Sequence, residues 1–308
     1  MTKETTFEDL SIVIPAYNEE DGLKITLPLV KEAFPKAEII VVNDCSTDKT
    51  IESAKLFKDV SIISHDFNRG QGAALSTGML AATKKYVAWF DADNEHRTQD
   101  LLSLYNSIKD NNRAAVIGQR TGRSANWIRG SGKWLVRLIG RSFKINAGSD
   151  LNCGLRIFRR DIILSYLHLI PQRFSASMIT TLIVIERGYP IAFEPVETNS
   201  RVGFSTVRLK DGFEAILWML RAVMLFAPIR IFLPTGLAMI ALGSLYSFTI
   251  AVLIGSGLPV AGMLVILTGV LFIMLGLIAD QISQFRLSQI PFNKNLARQY
   301  QKDIKERS

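Results

Sequence analysis

The chain has 308 residues, a formal net charge of +8 and 48% hydrophobic residues. This length holds one large domain, or a medium domain with a membrane part, and the apolar share excludes a disordered chain. Two cysteines without metal-ligand spacing exclude a disulfide framework and fit a reducing compartment.

Residues 1–9 are polar and acidic and lack the apolar core of a signal peptide. Leu10 to Pro15 is a short apolar run stopped by proline, the pattern of a buried strand. Asn18-Glu19-Glu20-Asp21 can cap a helix reaching about Phe34. Glu38 to Asn43 reads as a second strand, and Asp44-Cys45-Ser46-Thr47-Asp48 turns into a helix through about Phe57. Val60 to Ser64 is a third strand, and Gly70-Gln71-Gly72 opens a helix of small residues, Ala73 to Thr83. Tyr86 to Phe90 is a fourth strand, which ends at the acidic run Asp91-Ala92-Asp93-Asn94-Glu95. A helix over Asp100 to Asn111 comes next, and then a strand over Ala114 to Ile117.

Strands that are nearly all apolar and alternate with helices predict an α/β domain with a mostly parallel sheet covered on both faces. Ligands of such sheets bind outside the carboxyl ends of the strands. The polar segments Tyr17-Asn18-Glu19, Asp44 and Asp91 to Glu95 all stand at those ends.

Beyond Gly118 the pattern is less regular. Trp134 to Ile145 reads as a basic amphipathic helix, and Phe213 to Phe226 as a more apolar one. Both suit the membrane interface as well as packing on a core. From about Ile231 to Ile254, and again from about Leu258 to Ala279, there is no charged residue. A bilayer core of roughly 30 Å needs about 20 apolar residues per helix, so both runs qualify as spans. The connection Gly255-Ser256-Gly257 is uncharged and both outer flanks are basic, which places both termini in the cytoplasm. The expected layout is a catalytic domain over 1–210 that includes an interface helix at about 133–145. A second interface helix covers 211–228, the transmembrane hairpin 229–282 and a basic tail 283–308. The excess positive charge serves solubility, topology and attraction to anionic headgroups, and no nucleic-acid partner is expected.

Asp91 and Asp93 stand two apart at a strand end, where a turn can bring both carboxylates to one site, and Glu95 can add a third. Hard oxygen donors suit Mg²⁺ or Mn²⁺. A solvated turn is the plain alternative for the same residues.

The ordered segments Ile14-Pro15-Ala16-Tyr17-Asn18-Glu19-Glu20, Val42-Asn43-Asp44-Cys45-Ser46-Thr47-Asp48, Asn68 to Ala74 and Asp91-Ala92-Asp93 resemble the inverting family 2 glycosyltransferases. More closely, their order is similar to the dolichol-phosphate mannose synthase and polyprenyl-phosphate glucosyltransferase group. Asp150 to Phe158 matches that group's acceptor-loop region, Arg201-Val202-Gly203-Phe204-Ser205 its arginine–glycine–serine segment, and the apolar hairpin its two-span members. Departures are Gln71 where lysine is common, Glu95 where glutamine is frequent, and Cys45 and Cys153 at positions of small residues.

The resemblance implies a GT-A type fold and transfer of a hexose from a nucleotide sugar to a polyprenyl phosphate, with Mg²⁺ or Mn²⁺. It implies nucleotide-sugar contacts at Pro15, Ala16, Tyr17, Glu19, Asp44, Gln71, Asp91 and Ala92. Tyr17 offers a face for a base, with loop packing as its plain alternative, and Asp44 an acceptor for a ring N–H. Asp91, Asp93 and Glu95 would hold the metal. Arg120, Arg129, Arg201 and Ser205 are candidates for the acceptor phosphate, which arginine binds in a fork. Asp91, Asp93, Asp150 and Arg129 form the expected catalytic set, and Arg156 could hold the acceptor loop against the sheet. A non-catalytic scaffold that binds a nucleotide sugar, and a transferase acting on another lipid, are the alternatives. Self-association stays open.

Overall fold

The structure is a computed structural model. It describes residues 6–121, 150–172, 176–199, 221, 224, 227–255 and 259–289. The chain divides into two compact units, one holding the sheet and the other lying within Met219–Pro291.

The first unit is built on a seven-stranded sheet. Its strands are β1 (Leu10–Ala16), β2 (Glu38–Asn43), β3 (Val60–Ser64), β4 (Tyr86–Trp89), β5 (Ala115–Arg120), β6 (Arg156–Arg159) and β7 (Ile191–Val196). They lie in the order β3-β2-β1-β4-β6-β5-β7. β1 to β4 are mutually parallel, as β5 and β7 are, and every residue of β1 and β4 is buried. This is the double-covered sheet that near-continuous apolar strands predict.

Helices α1 (Glu20–Ala33), α2 (Thr50–Lys55), α3 (Gln71–Ala81) and α4 (Thr98–Asp110) come after β1 to β4 in turn. α1 buries Leu23, Leu27 and Val30, which share one helical face, while α4 buries Leu101, Leu104 and Ile108. These side chains meet Ile12, Ile14, Val41 and Ala88 in one core. α5 (Arg160–Leu164) and α6 (Ala176–Glu186) come after β6.

Strand ends decide where the site lies. Ala16 pairs with Asn43 and Asn43 with Ser64, so β1, β2 and β3 finish level with one another. β5 runs to Arg120, three residues past the expected end, and carries that arginine to the same edge. β6 and β7 are not legible as strands in the sequence. β6 is antiparallel to both neighbours, with Arg156 opposite Trp89 on one side and Ile117 on the other. Its amino end therefore lies at the carboxyl edge, so the segment before it, from Asp150, enters the site.

The second unit holds α7 (Ile229–Ile254) and α8 (Val260–Ser288). Ile229–Leu253 and Val260–Arg286 are each long and apolar enough to cross a membrane, and only 17% of the most apolar stretch of each is buried. Leu237, Leu245, Phe248, Leu264, Leu271 and Phe285 face outward, which suits hydrocarbon better than water. The backbones of the two helices touch. A Cβ on Gly269 would lie 2.7 Å from the Gly236 carbonyl oxygen, and one on Gly243 would lie 3.0 Å from that of Gly262. Small residues at such crossings let helices associate in lipid. Thr235, Thr249 and Thr268 donate their hydroxyls to carbonyls one turn back, so these groups need no water.

The expected interface helix at 133–145, most of 211–228, and the loop residues Ser256 and Gly257 lie outside the described residues, as do Arg129, Arg201 and Ser205.

Candidate active site

The loops after β1 and β2 are knitted together. Thr47 N donates to the Asn18 side-chain oxygen at 2.8 Å, and Asn18 N donates to Ser46 Oγ at 3.0 Å. Glu19 N donates to Thr50 Oγ1 at 2.9 Å. Asn18 sits at φ 55, a left-handed conformation that asparagine tolerates. Pro15 and Ala16 are buried beneath this bridge, while Tyr17 is 47% exposed above it. A half-exposed ring at the carboxyl edge leaves a face open for a ligand.

Asp44 is held from three directions. His65 Nδ1 lies 2.7 Å from its carboxylate, Arg69 N donates at 2.9 Å and Gly70 N at 2.7 Å. His65 continues through Nε2 to Thr77 Oγ1 at 2.9 Å. A carboxylate offers about four acceptor positions, and three are filled from within the chain. Asp44 thus anchors the Asn68–Gly72 loop, and at most one position remains for a base. Motif reading does not single out His65, although its place directly after β3, level with Asp44, is the signal that identifies it.

The anchored loop delivers Gln71. Gly70, at φ 98, turns the chain into α3, and Gln71 Nε2 donates to Asp91 Oδ1 at 3.2 Å. Asp91 Oδ2 lies 3.4 Å from His96 Nε2. Burial of His96 pulls its pKa down, but the bond and charge of Asp91, with Glu95 and Asp93, prevail and leave it raised. The acidic turn itself is tight. Thr26 Oγ1 donates to the Ala92 carbonyl at 3.0 Å, Glu95 N donates to Asp93 Oδ1 at 3.1 Å, and Asn94 adopts φ 59.

Arg120 stands between two carboxylates. Its Nε and Nη2 fork onto Asp150 at 2.6 and 3.3 Å, and Nη1 reaches Glu95 at 3.3 Å. Burial would lower its pKa, but Asp150 and Glu95 outweigh that and hold it above the usual arginine value. Any phosphate would meet this guanidinium already paired. Gly154, four residues beyond Asp150, abuts the acidic turn, and a Cβ there would lie 2.0 Å from Asp91 Oδ2. Only glycine allows the loop to lie so close.

The structure thus gathers Pro15, Ala16, Tyr17, Glu19, Asp44, Gln71, Asp91, Ala92, Asp93, Glu95, Arg120 and Asp150 at one sheet edge. It does not gather Asp91, Asp93 and Glu95 into a three-carboxylate cage. Among the described residues no group of three His, Cys, Asp or Glu side chains is placed to hold a metal ion, and Glu95 turns to Arg120 instead. Mg²⁺ commonly binds through one or two carboxylates and completes its shell with water and substrate phosphates. Asp91 and Asp93, hard oxygen donors on one turn, fit that smaller role.

The family model for glycosyl transferase family 2 matches residues 11–166, and that for the GtrB C-terminal hairpin matches 227–285. A dolichyl-phosphate beta-glucosyltransferase of Trichomonas vaginalis is 31% identical over 178 residues, 49% of this chain and 54% of the relative. The dodecaprenyl-phosphate galacturonate synthase of Rhizobium johnstonii is 29% identical over 166 residues, 50% of this chain and 49% of the relative. The chain thus spans about half the length of these curated relatives. Among solved structures, glucosyl-3-phosphoglycerate synthase of Mycobacterium tuberculosis, crystallised with Mn²⁺, uridine diphosphate and glucosyl-3-phosphoglycerate, superposes with a TM-score of 0.55. That match has 18% identity and covers 72% of this chain and 79% of that one. At such identity the likeness concerns the fold, which is the GT-A type. The family 2 match takes in the sheet from β1 through β6 with the acidic turn, it extends over half of the chain, and the chain belongs to glycosyl transferase family 2.

Proposed function

We propose that the protein is a membrane-bound inverting glycosyltransferase that moves a hexose from a nucleotide sugar to a polyprenyl phosphate. The observation that carries this reading is the Asp91–Asp93 turn, braced by Gln71 and Gly154, in a chain that also has a hairpin fit for a bilayer. The names of both relatives specify a polyprenyl phosphate, which supports the lipid acceptor.

Pro15, Ala16, Tyr17 and Glu19 take the nucleoside, with Tyr17 stacking on the base. Asp91 and Asp93 would hold Mg²⁺ or Mn²⁺, which when bound would supply Lewis-acid neutralisation of the diphosphate charge. A lipid monophosphate is anionic at neutral pH, so the site needs positioning and charge stabilisation more than a base. One phosphate oxygen forms the new bond to the sugar C1 from the face opposite the leaving group. The old C1–O bond breaks, and its electron pair departs with the nucleoside diphosphate. Arg129, Arg201 and Ser205 take the lipid phosphate. Arg120 keeps Asp150 and Glu95 in place, and Asp150 orients the sugar or its loop. The catalytic domain covers 1–210, and both termini are cytoplasmic.

The test uses the purified full chain in lipid nanodiscs with a panel of nucleotide sugars and a polyprenyl phosphate. Nucleoside diphosphate release should require both the lipid and a divalent cation, and Asp93→Asn should abolish it in a folded protein. Normal turnover by that variant would remove the assignment of the acidic turn. A cysteine placed at Ser256 should label from outside intact cells, and labelling only after permeabilisation would reverse the orientation.

A further inference from the structure

Arg156 is a charged side chain with no exposure to solvent. Its guanidinium is nonetheless fully engaged. Nε donates to the Cys153 carbonyl at 3.1 Å, and Nη2 donates to the same oxygen and to the Leu151 carbonyl at 3.4 Å. Nη1 donates to the Ser177 carbonyl, to Thr180 Oγ1 at 3.0 Å and to Thr181 Oγ1 at 3.2 Å. The Trp89 ring lies beneath, with its centroid 5.2 Å from the guanidinium carbon. Every hydrogen-bond acceptor is neutral, and among the described residues no carboxylate comes within ion-pair distance. Burial lowers the pKa to about 10, which still leaves the group charged at neutral pH.

An unpaired buried cation is costly, and this one joins three elements. Trp89 ends β4, two residues before Asp91. Leu151 and Cys153 belong to the segment that begins at Asp150 and brings Gly154 against Asp91. Ser177, Thr180 and Thr181 belong to α6, which supplies the fixed wall. The five N–H groups of a planar guanidinium can hold both sides at once, whereas the three of a lysine ammonium cannot do so in one plane.

We propose that Arg156 is the positioning residue that sets the spacing between Asp91 and Asp150, by locking the 150–154 segment to α6 across the Trp89 ring. The proposal rests on the assignment of both aspartates to sugar transfer, and it adds a residue that touches neither donor nor acceptor. A displacement of about 1 Å among reacting groups can cost about a hundredfold in rate. The donor contacts on the β1 and β2 loops lie outside this lock.

The test compares the full-length protein with Arg156→Lys in nanodiscs by two measurements, steady-state transfer kinetics and hydrogen–deuterium exchange. The lysine variant should keep the donor KM within about threefold while kcat falls about a hundredfold. Exchange at residues 151–155 should quicken about tenfold, the equivalent of about one lost hydrogen bond, with the sheet unchanged. A folded variant with unchanged kcat, or one whose exchange rises evenly across the sheet, overturns the proposal. If Arg156→Lys does not fold, Thr180→Val/Thr181→Val decides. It should give the same split at smaller size, and unchanged kcat and exchange in that variant overturn the proposal. If the parent protein transfers no sugar to polyprenyl phosphate, the functional reading fails on that result alone, and the exchange measurement still decides whether Arg156 locks the segment.

Discussion

Asp44 tests whether the site rests on an internal anchor or on a ligand contact. In Asp44→Asn one carboxylate oxygen becomes an NH₂ donor. The best orientation keeps the amide oxygen on His65 and Arg69 and sets the NH₂ against Gly70 N, which donated at 2.7 Å. One buried N–H is then unsatisfied, which costs about 1–3 kcal/mol. The two remaining bonds lose the carboxylate charge and about half of their strength, or about another 1 kcal/mol. The expected destabilisation is about 3 kcal/mol, a large part of a typical domain stability of about 5–15 kcal/mol. Urea unfolding of the detergent-solubilised protein, followed by tryptophan fluorescence, measures it, and calorimetry with nucleoside diphosphate measures binding. Binding should weaken as well, because the loop that Asp44 anchors delivers Gln71 to Asp91. Unchanged stability with lost nucleotide affinity would refute the anchor and return Asp44 to the base.

Arg120→Ala leaves Asp150 and Glu95 without their shared cation. It should cost about 2–3 kcal/mol in urea unfolding, less than a fully buried pair because these groups keep some solvent; a change under about 0.5 kcal/mol would contradict the pairing. Glu38 accepts hydrogen bonds from Ser11 Oγ, Thr83 N and Thr83 Oγ1. Burial pushes its pKa up, but these bonds prevail and leave it lowered. Its contribution to stability is therefore fully present above the ordinary glutamate value of about 4.3 and is lost as pH falls through the lower folded value. Thermal unfolding from pH 6 to pH 3 should show a shallower acid limb for Glu38→Gln, and identical limbs would refute this. In the hairpin, Gly269→Leu drives a side chain into the Gly236 carbonyl. It should lower the thermal aggregation temperature in detergent, whereas Leu271→Ala on the outward face should not.

The parallel half of the sheet was legible because β1, β2 and β4 are almost wholly buried, the edge strand β3 is a short apolar run, and turn residues separate all four from the helices. Their observed bounds lie within one residue of the expected ones. β6 was not legible, since Arg156 and Arg159 bracket only Ile157 and Phe158. A four-residue strand with arginine at each end carries no period, and its burial depends on acceptors contributed by α6. The acidic turn was readable as a candidate site, but the direction of Glu95 was not. Glu95 pairs with Arg120, 25 residues away, and local spacing carries no trace of such a partner. Asp44 was placed at the correct edge. Its engagement by His65 and two backbone amides depends on a loop path that no motif encodes.

The reversal of β6 has a consequence for how this scaffold can diversify. A parallel strand meets the carboxyl edge only as it leaves the sheet, so the chain beyond it must turn back through a helix. β6 meets that edge as it arrives, and the chain between Arg120 and Arg156 starts and finishes there. Both ends are pinned, one by the Arg120–Asp150 fork and the other by strand pairing. Insertions between them leave every β–α crossover of the core untouched, and the closure cost rises only with the logarithm of length, about 0.6 kcal/mol per doubling. A chain with this strand order can therefore carry a longer or shorter segment here without renegotiating the pairing that holds the acidic turn.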